Sequence, residues 1–201
     1  MARPTSPLLN RDRIVETALA IIDGEGLPAL STRRLARELG VSGPSLYYHF
    51  ATKEDILDAV SEHIAAQTVL THQDTWQDVL RDFARSYRKV MTAHPNAVEF
   101  MALRPVHHRA ALASYEWQLR ALAVHGWDVG SAWETVMGIE LLVLGTALQS
   151  GAPELVLTDP ELREDYPLLA EAGDLHLVRP DTVFERATES FIAGLRPPPS
   201  R

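Results

Sequence analysis

The stretch that decides the fold runs from position 30 to position 50 and reads LSTRRLARELGVSGPSLYYHF. Ser31 or Thr32 can cap a short helix, and Gly40 can end that helix in the left-handed conformation. A second short helix follows within three residues, capped by Ser42, and it tolerates Pro44 in its first turn. Two short helices joined by so tight a turn predict a helix-turn-helix unit.

The second helix of such a unit enters the major groove of DNA. Its exposed side chains are small or carry hydroxyl groups, which suit phosphate oxygens, and the ring of Tyr47 can pack against thymine methyl groups. Arg33 can reach guanine O6 and N7, and Lys53 adds a cation at the amino end of the following helix. The residues predicted from this geometry to contact DNA are Arg33, Ser42, Gly43, Pro44, Ser45, Tyr47, Tyr48, His49 and Lys53.

Outside this stretch, apolar residues recur at helical spacing and β-branched alternation is nearly absent. Gly24 and Gly26 end the first helix, and Thr52 caps the fourth. We predict an all-α fold. Beyond the motif, the predicted helices cover residues 11–23, 53–67, 75–93, 96–103, 105–125, 128–149, 160–171 and 181–195.

The composition excludes several classes of protein. The 201 residues include no cysteine, which rules out disulfides, thiolate zinc sites and cysteine nucleophiles. No apolar segment follows the charged start, and the most apolar run, residues 136–148, is shorter than the roughly 20 residues of a membrane span. We therefore expect a cytoplasmic protein that has no membrane partner.

The charge is divided unevenly along the chain. Residues 1–53 hold seven Arg and Lys against five Asp and Glu, whereas the remainder holds 12 against 22. Only the first part can approach a polyanion without repulsion, which favours two domains. We place a flexible arm at residues 1–9, the helix-turn-helix domain at 10–52, a larger helical domain at 53–195 and a disordered tail at 196–201.

Residues 8–65 closely resemble the DNA-binding segment of TetR-family transcriptional regulators. The resemblance rests on the 30–50 stretch, with its core GVSGPSLYYHF, and on KEDIL at positions 53–57. It implies a homodimeric repressor with an N-terminal three-helix helix-turn-helix domain and a C-terminal helical domain for ligand binding and dimerisation. It also implies DNA contacts at Ser45, Tyr47, His49 and Lys53, a base contact at Arg33, and further contacts at Thr32 and Pro44.

The second half of the chain is similar to the ligand-binding domain of the tetracycline-repressor subgroup. The shared segments are WQDVLR at 76–81, Arg104-Pro105, QLR at 118–120 and LGTAL at 144–148. Where that subgroup uses a histidine and a threonine before the Arg-Pro pair, this chain has Phe100 and Leu103. Val69 replaces a further histidine. Magnesium-bound tetracycline is therefore not the expected ligand, and we predict no metal and no cofactor.

Aromatic and methionine side chains in the second half are core residues by their spacing, but such side chains also line apolar pockets. Gln118 matches a ligand contact of the subgroup. The residues predicted to contact a small-molecule effector are Phe83, Tyr87, Phe100, Met101, Leu103, Trp117, Gln118, Trp133 and Met137. The helices at 128–149 and 181–195 carry more apolar surface than one face needs, which predicts a four-helix dimer interface in which Glu140 requires a partner.

Three other interpretations remain open at this point. His107-His108 suggests a metal site, but adjacent positions point about 100° apart on a helix, and no helical zinc-binding motif is present. An enzyme or small-molecule carrier would require an acid–base pair such as His94 with Glu99. A protein-binding adaptor would use the helical groove for a partner segment. No catalytic motif supports the enzyme.

Overall fold

The structure, a computed structural model, describes residues 9–149, 157–174 and 180–197, and these residues form helices and their connections without any strand. The predicted all-α class is confirmed. Two short 3-10 turns lie at Leu27–Ala29 and Pro95–Ala97. The helices are α1 (Arg11–Glu25), α2 (Thr32–Leu39), α3 (Gly43–Tyr47), α4 (Lys53–Ala65), α5 (Trp76–Ala93), α6 (Val98–Leu103), α7 (Arg109–Ala123), α8 (Val129–Leu148), α9 (Pro160–Asp165), α10 (Pro167–Asp174) and α11 (Pro180–Gly194).

Two predicted helices differ from the observed ones. The helix predicted at 105–125 begins only at Arg109, because Arg104 is extended and the ring of His108 accepts a hydrogen bond from the first turn. The helix predicted at 160–171 is divided into α9 and α10 at Tyr166, whose φ of −126° and ψ of 63° are not helical. Pro167 accounts for this break, since a proline disfavours the helical conformation in the residue before it.

The turn between α2 and α3 follows from local chemistry. Ser31, and not Thr32, caps α2 by accepting a hydrogen bond from the Arg34 amide at 3.1 Å. Gly40 ends the helix with φ at 68°, in the left-handed region where a side chain is disfavoured. Ser42 starts α3 without a capping hydrogen bond to the backbone, and its Oγ lies 2.8 Å from Oγ of Ser45.

The N-terminal helices enclose a dry core. Leu35 of α2, Leu46 of α3 and Val60 of α4 are almost fully buried, and α1 packs against both α2 and α4. Arg11 of α1 closes one edge, because its guanidinium lies 3.8 Å from the centre of the Phe50 ring and donates to the His49 carbonyl. The segment that follows α3 is therefore held against α1.

In the C-terminal part, α8 packs against α5, α7 and α11. An antiparallel ladder of ion pairs joins α5 to α11. Arg81 meets Glu189 at 2.9 Å, and the buried Arg88 meets Asp181 at 2.7 Å while it also donates to Thr146. This ladder fixes α11 against the bundle at both ends.

Among the described residues, α8 alone is long and apolar enough to cross a membrane by length and composition, with a mean hydropathy of 1.3. It is longer than the 13-residue run counted in the sequence because the helix also includes Val129 to Thr135. Core helices meet the same criteria, and 44% of the apolar window of α8 is buried against its neighbours. Its contacts identify α8 as the central helix of the bundle.

Helix α4 belongs to both parts of the molecule. It packs against α1 on one side and against α5 and α7 on the other, and the buried side chains of both parts form one continuous cluster. The division between residues 52 and 53 therefore stays a prediction. The predicted arm lies outside the described residues except for Leu9, and the predicted tail does so beyond Pro197.

The left-handed turn provides a test of the fold. We expect Gly40→Ala to destabilise the protein by about 1 kcal/mol, because the new side chain meets no atom within 4 Å and only the backbone strain remains. Gly24→Ala, in exposed helical backbone with equally open space, should stabilise it by about 0.5–1 kcal/mol. Urea unfolding at one protein concentration measures both changes, and equal effects of the two substitutions would contradict this account.

Candidate functional site

Most of the predicted DNA-contacting residues lie on α3 or in the segment directly before and after it. We call the exposed side chains of residues 42–49 the α3 face. Tyr47 is 53% exposed and Tyr48 is 88% exposed, whereas Leu46, on the side of α3 that faces the core, is buried. Tyr48 packs edge-on against His49, with ring centres 5.4 Å apart. Two large aromatic side chains so exposed beside small residues form a surface that no other described segment covers.

Basic side chains border the α3 face. Thr32 and Arg33 line a groove between α2 and α3 together with Gly43, and Lys53 begins α4. Within the described part of the chain, neither Arg33 nor Lys53 forms an ion pair, whereas Arg34 binds Glu25 at 2.7 Å. Arg37 of α2 also forms no ion pair with a described residue, so Arg33 and Lys53 belong to a larger set of cations near α2 and α3 that are free to meet a partner. Pro44 is exposed on the same side.

A cavity lies between α4, α5, the α6–α7 connection, α7 and α8. It contains about 610 Å³ of empty space, including its open mouth. The part of this space that the centre of a water-sized sphere can occupy is about 50 Å³, so the cavity is narrow. The lining residues are Asp58, Ser61, Ala65, Thr68, Phe83, Tyr87, Met101, Arg104, Pro105, Val106, His108, Ala111, Ser114, Tyr115 and Glu140.

Three of the predicted ligand contacts line this cavity, namely Phe83, Tyr87 and Met101. The rings of Phe83 and Tyr87 are nearly parallel, with an interplanar angle of 9° and centres 5.5 Å apart. They follow each other by one helical turn on α5 and so share a face. Together they form an aromatic wall.

The other six predicted contacts lie elsewhere. Phe100 is buried in the core, and Leu103 is 79% exposed. Trp117 lines a separate groove, beside His72 and His125. These three side chains are directed away from the cavity by the helical turns on which they lie.

Gln118, Trp133 and Met137 surround the cavity without lining it. Gln118 is fully buried, and its amide nitrogen donates to Ser114, which does line the cavity. Trp133 packs edge-on against Tyr115 at 5.2 Å. Met137 is half-buried against the core. Trp133 therefore supports the cavity wall from behind.

The cavity wall also contains a polar pair, Tyr115 with Glu140, that the sequence-based ligand set does not include. The Tyr115 hydroxyl donates to Oε2 of Glu140 at 2.7 Å. Burial raises the pKa of Glu140 above its usual value, and the Tyr115 hydrogen bond opposes that rise. The partner that Glu140 was expected to find across a dimer interface lies within the same chain. The sequence signal was present, since Glu140 interrupts an apolar run.

Helix α4 is tied to the cavity by a set of contacts that we call the α4 clasp. Carboxylates at Glu54, Asp58 and Glu62, four residues apart, share one face of α4. Arg104 donates to Glu54 at 2.7 Å and also binds Asp58. Glu62 accepts from the Ala110 amide at 3.1 Å. The clasp thus joins α4 to the segment that leads from α6 into α7.

Two histidines complete the α4 clasp. Nε2 of His107 lies 3.2 Å from Asp58, and Nδ1 of His108 lies 3.2 Å from Glu62. Burial lowers the pKa of His108, although Glu62 opposes the change, so the ring is neutral at pH 7. Burial raises the pKa of Asp58, but hydrogen bonds from Arg104 and His107 reverse this and hold it below its usual value.

The described residues contain no group of ligands suited to a metal ion. The pair considered for an enzyme is not assembled either. His94 places Nδ1 2.8 Å from Asp23 of α1 and Nε2 3.3 Å from Gln67, and Glu99 is exposed. His94 therefore joins α1 to the turn after α5.

Comparison with known proteins identifies both parts of the chain. Residues 14–60 match the family model described as bacterial regulatory proteins, tetR family, and residues 70–197 match the tetracyclin repressor-like C-terminal domain. The chain belongs to the TetR family. The class C tetracycline repressor protein of Escherichia coli is 31% identical over 93% of this chain and 90% of its own length.

Solved structures of TetR-family proteins share the fold. The ActR protein of Streptomyces coelicolor in complex with (S)-DNPA is 28% identical and superposes with a TM-score of 0.79 over 92% of this chain and 96% of its own. The same protein in complex with actinorhodin gives a TM-score of 0.79 at 27% identity, over 94% and 95% of the two chains. TetR-family proteins are ligand-responsive, DNA-binding transcriptional regulators and not enzymes.

The Tyr115–Glu140 pair provides a test of the cavity. We expect Tyr115→Phe to raise the pKa of Glu140 further, because the lost hydrogen bond favoured the charged carboxylate while burial still disfavours it. An NMR titration of the glutamate carboxyl carbons measures the shift. Tyr47→Phe, which deletes a distant exposed hydroxyl, is the control and should leave Glu140 unchanged. A lower pKa in the Tyr115 variant would contradict the described geometry.

Proposed function

We propose that this TetR-family protein is a homodimeric repressor that leaves a near-palindromic operator when a small molecule enters the cavity. One observation carries the proposal. Helix α4 begins at Lys53, beside the α3 face, and its Asp58, Ser61 and Ala65 line the cavity. A molecule that fills the cavity therefore touches the helix that leads to the DNA-binding face. The cytoplasm, where bacterial DNA lies, is the compartment for this activity.

The operator contacts that we propose are those of the α3 face and its basic border. Tyr47 and Ser45 contact the backbone and bases of the major groove, Arg33 reads a guanine, and Lys53 binds a phosphate. Thr32, Ser42, Gly43, Pro44, Tyr48 and His49 complete the set. Two copies of this face fit successive major grooves about 34–36 Å apart, which is why we expect an inverted repeat.

The dimer interface that we propose is formed by α8 and α11. Leu141 of α8 is 72% exposed and Leu148, two turns further along the same face, is 51% exposed. Val183 of α11 is also 40% exposed. Apolar side chains so exposed on two packed helices favour burial against a second copy in a four-helix arrangement.

The α4 clasp provides a way for a molecule in the cavity to affect DNA binding. Arg104 lines the cavity and also holds Glu54 and Asp58, so an occupant that displaces Arg104 changes the position of α4 relative to α7. A differential affinity of about 1–3 kcal/mol between the two arrangements changes DNA affinity by roughly 5- to 150-fold. Of the nine ligand contacts predicted from the sequence, we retain three as proposed contacts, namely Phe83, Tyr87 and Met101.

Selection of binding sites from a random duplex pool at about 150 mM salt tests the proposal, because nonspecific phosphate contacts are weak under these conditions. Enrichment of an inverted repeat, with a steep decrease in affinity at higher salt, supports a repressor. A carrier or an adaptor would enrich no sequence. The absence of any enriched duplex in the ligand-free protein would contradict a repressor that is released by its effector.

Loss of the Tyr47 side chain should weaken operator binding. We expect Tyr47→Ala to reduce affinity for the selected duplex at least about 10-fold, because base and phosphate contacts are lost together. Tyr166→Ala, which removes an equally exposed tyrosine from the junction between α9 and α10, is the matched control. Fluorescence anisotropy with labelled duplex measures both. Equal affinities of the Tyr47 variant and the parent protein would remove Tyr47 from the interface.

A charge on the exposed face of α8 should separate the two copies. We expect Leu141→Glu to weaken self-association at least about 10-fold, since it buries an unpaired carboxylate in the proposed interface. Leu103→Glu places the same charge at a comparably exposed leucine of α6 and should leave association unchanged. Sedimentation velocity at about micromolar concentration separates the outcomes. A monomeric parent protein would show that the proposed geometry is incorrect.

A further inference from the structure

The cavity contains a carboxyl group that no cation in the described part of the protein pairs with. Glu140 lines the cavity and accepts one hydrogen bond, from Tyr115, but forms no ion pair with any described Lys, Arg or His. A carboxylate removed from water and left without a counter-charge is costly. Glu140 therefore favours an occupant that brings a positive charge.

The other charged groups of the cavity are already paired. Arg104 binds Glu54 and Asp58, so its guanidinium faces two carboxylates. His108 is close to Glu62, and burial keeps its ring neutral at pH 7. An anionic ligand would have to break the pairs of Arg104 and would also be repelled by Glu140. The cavity is therefore selective against anions.

The wall beside Glu140 is aromatic. Phe83 and Tyr87 present two nearly parallel rings, and the Tyr87 hydroxyl finds no hydrogen-bond partner among the residues that the structure describes. Tyr87 and Glu140 line the same cavity; burial raises the pKa of Tyr87, and the Glu140 carboxylate adds to that rise. A flat ring system can pack on this wall, and the faces of the rings also attract a cation.

We propose that the effector is a flat aromatic molecule that carries a protonated amine, whose ammonium group pairs with Glu140 while its rings lie against Phe83 and Tyr87. The inference rests on the proposed function, because it assigns a ligand class to the same cavity. The ammonium donates charge-assisted hydrogen bonds to Glu140 and one to the Tyr87 hydroxyl oxygen. The aromatic rings displace water from the apolar part of the wall formed by Met101 and Val106.

Three probes with the same ring system test the inference: 9-(aminomethyl)anthracene, 9-anthracenemethanol and 9-anthracenecarboxylate. They are cationic, neutral and anionic at pH 7 and differ little in shape. We expect the amine to bind at least about 10-fold more tightly than the alcohol, as charge-assisted pairing in a partly desolvated site implies, and the carboxylate to bind most weakly. Titration of the anthracene fluorescence measures all three affinities.

Two variants that each lose one carboxylate charge test whether Glu140 causes the preference for the amine. Glu140→Gln keeps an acceptor for the Tyr115 hydroxyl but removes the charge, and it should abolish the preference for the amine while the alcohol binds as before. Glu134→Gln removes an exposed carboxylate from the same helix and should retain the preference. Circular dichroism and thermal melting verify that both variants fold as the parent protein does.

These outcomes test the inferred ligand class independently of the proposed repressor function. An amine preference that disappears only in Glu140→Gln supports the inference. Binding of the alcohol or the carboxylate at least as tightly as the amine overturns the ligand class and leaves a small-molecule site in place. If none of the probes binds below about 1 mM, the aromatic-ammonium class is overturned, whereas operator selection still decides DNA binding on its own.

Discussion

The contacts between α4 and the α6–α7 connection are the constraint on which the rest of the molecule depends. Three carboxylates at four-residue spacing meet one guanidinium, two imidazoles and one backbone amide. Most of these groups keep part of their surface in water, where ion pairs contribute little to stability. That weakness suits a switch, since a ligand can shift an equilibrium only by the difference in its affinity for the two states. A deeply buried clasp would hold α4 too firmly to be released.

The opposite wall of the cavity is held in a different way. Arg88 is buried, binds Asp181 and Thr146, and lies 4.6 Å from the centre of the Phe184 ring. Asp181 is largely exposed, but its loss would leave the buried guanidinium of Arg88 without a counter-charge, which is costly. The bundle of α5, α8 and α11 therefore forms a rigid wall of the cavity. The α6–α7 connection is the part of the cavity that can move. The bundle is thus held by strong contacts, whereas α4 is held by weak ones.

The helix-turn-helix unit could be predicted from sequence because its determinants are local. A capping serine, Gly40 in a left-handed turn and Leu46 on the buried side of α3 lie within 20 residues of one another. The cavity is different, because its lining comes from five separate segments. Helical spacing identifies Phe83 and Tyr87 as one face but does not distinguish a cavity wall from core. For the same reason, it could not show that Leu103 is exposed or that Glu140 meets Tyr115 within the chain.

The edge-on contact of Trp133 with Tyr115 gives the protein an internal optical reporter. Trp133 is 41% exposed on α8, while its partner ring borders the cavity. Its emission therefore senses both a molecule beside Tyr115 and any surface that covers the outer edge of α8. Trp76, Trp117 and Trp127 emit in the same range, so the difference between the parent protein and Trp133→Phe isolates the signal of Trp133. Ligand occupancy and subunit contact can be followed in the unlabelled protein, in the same cuvette as the DNA.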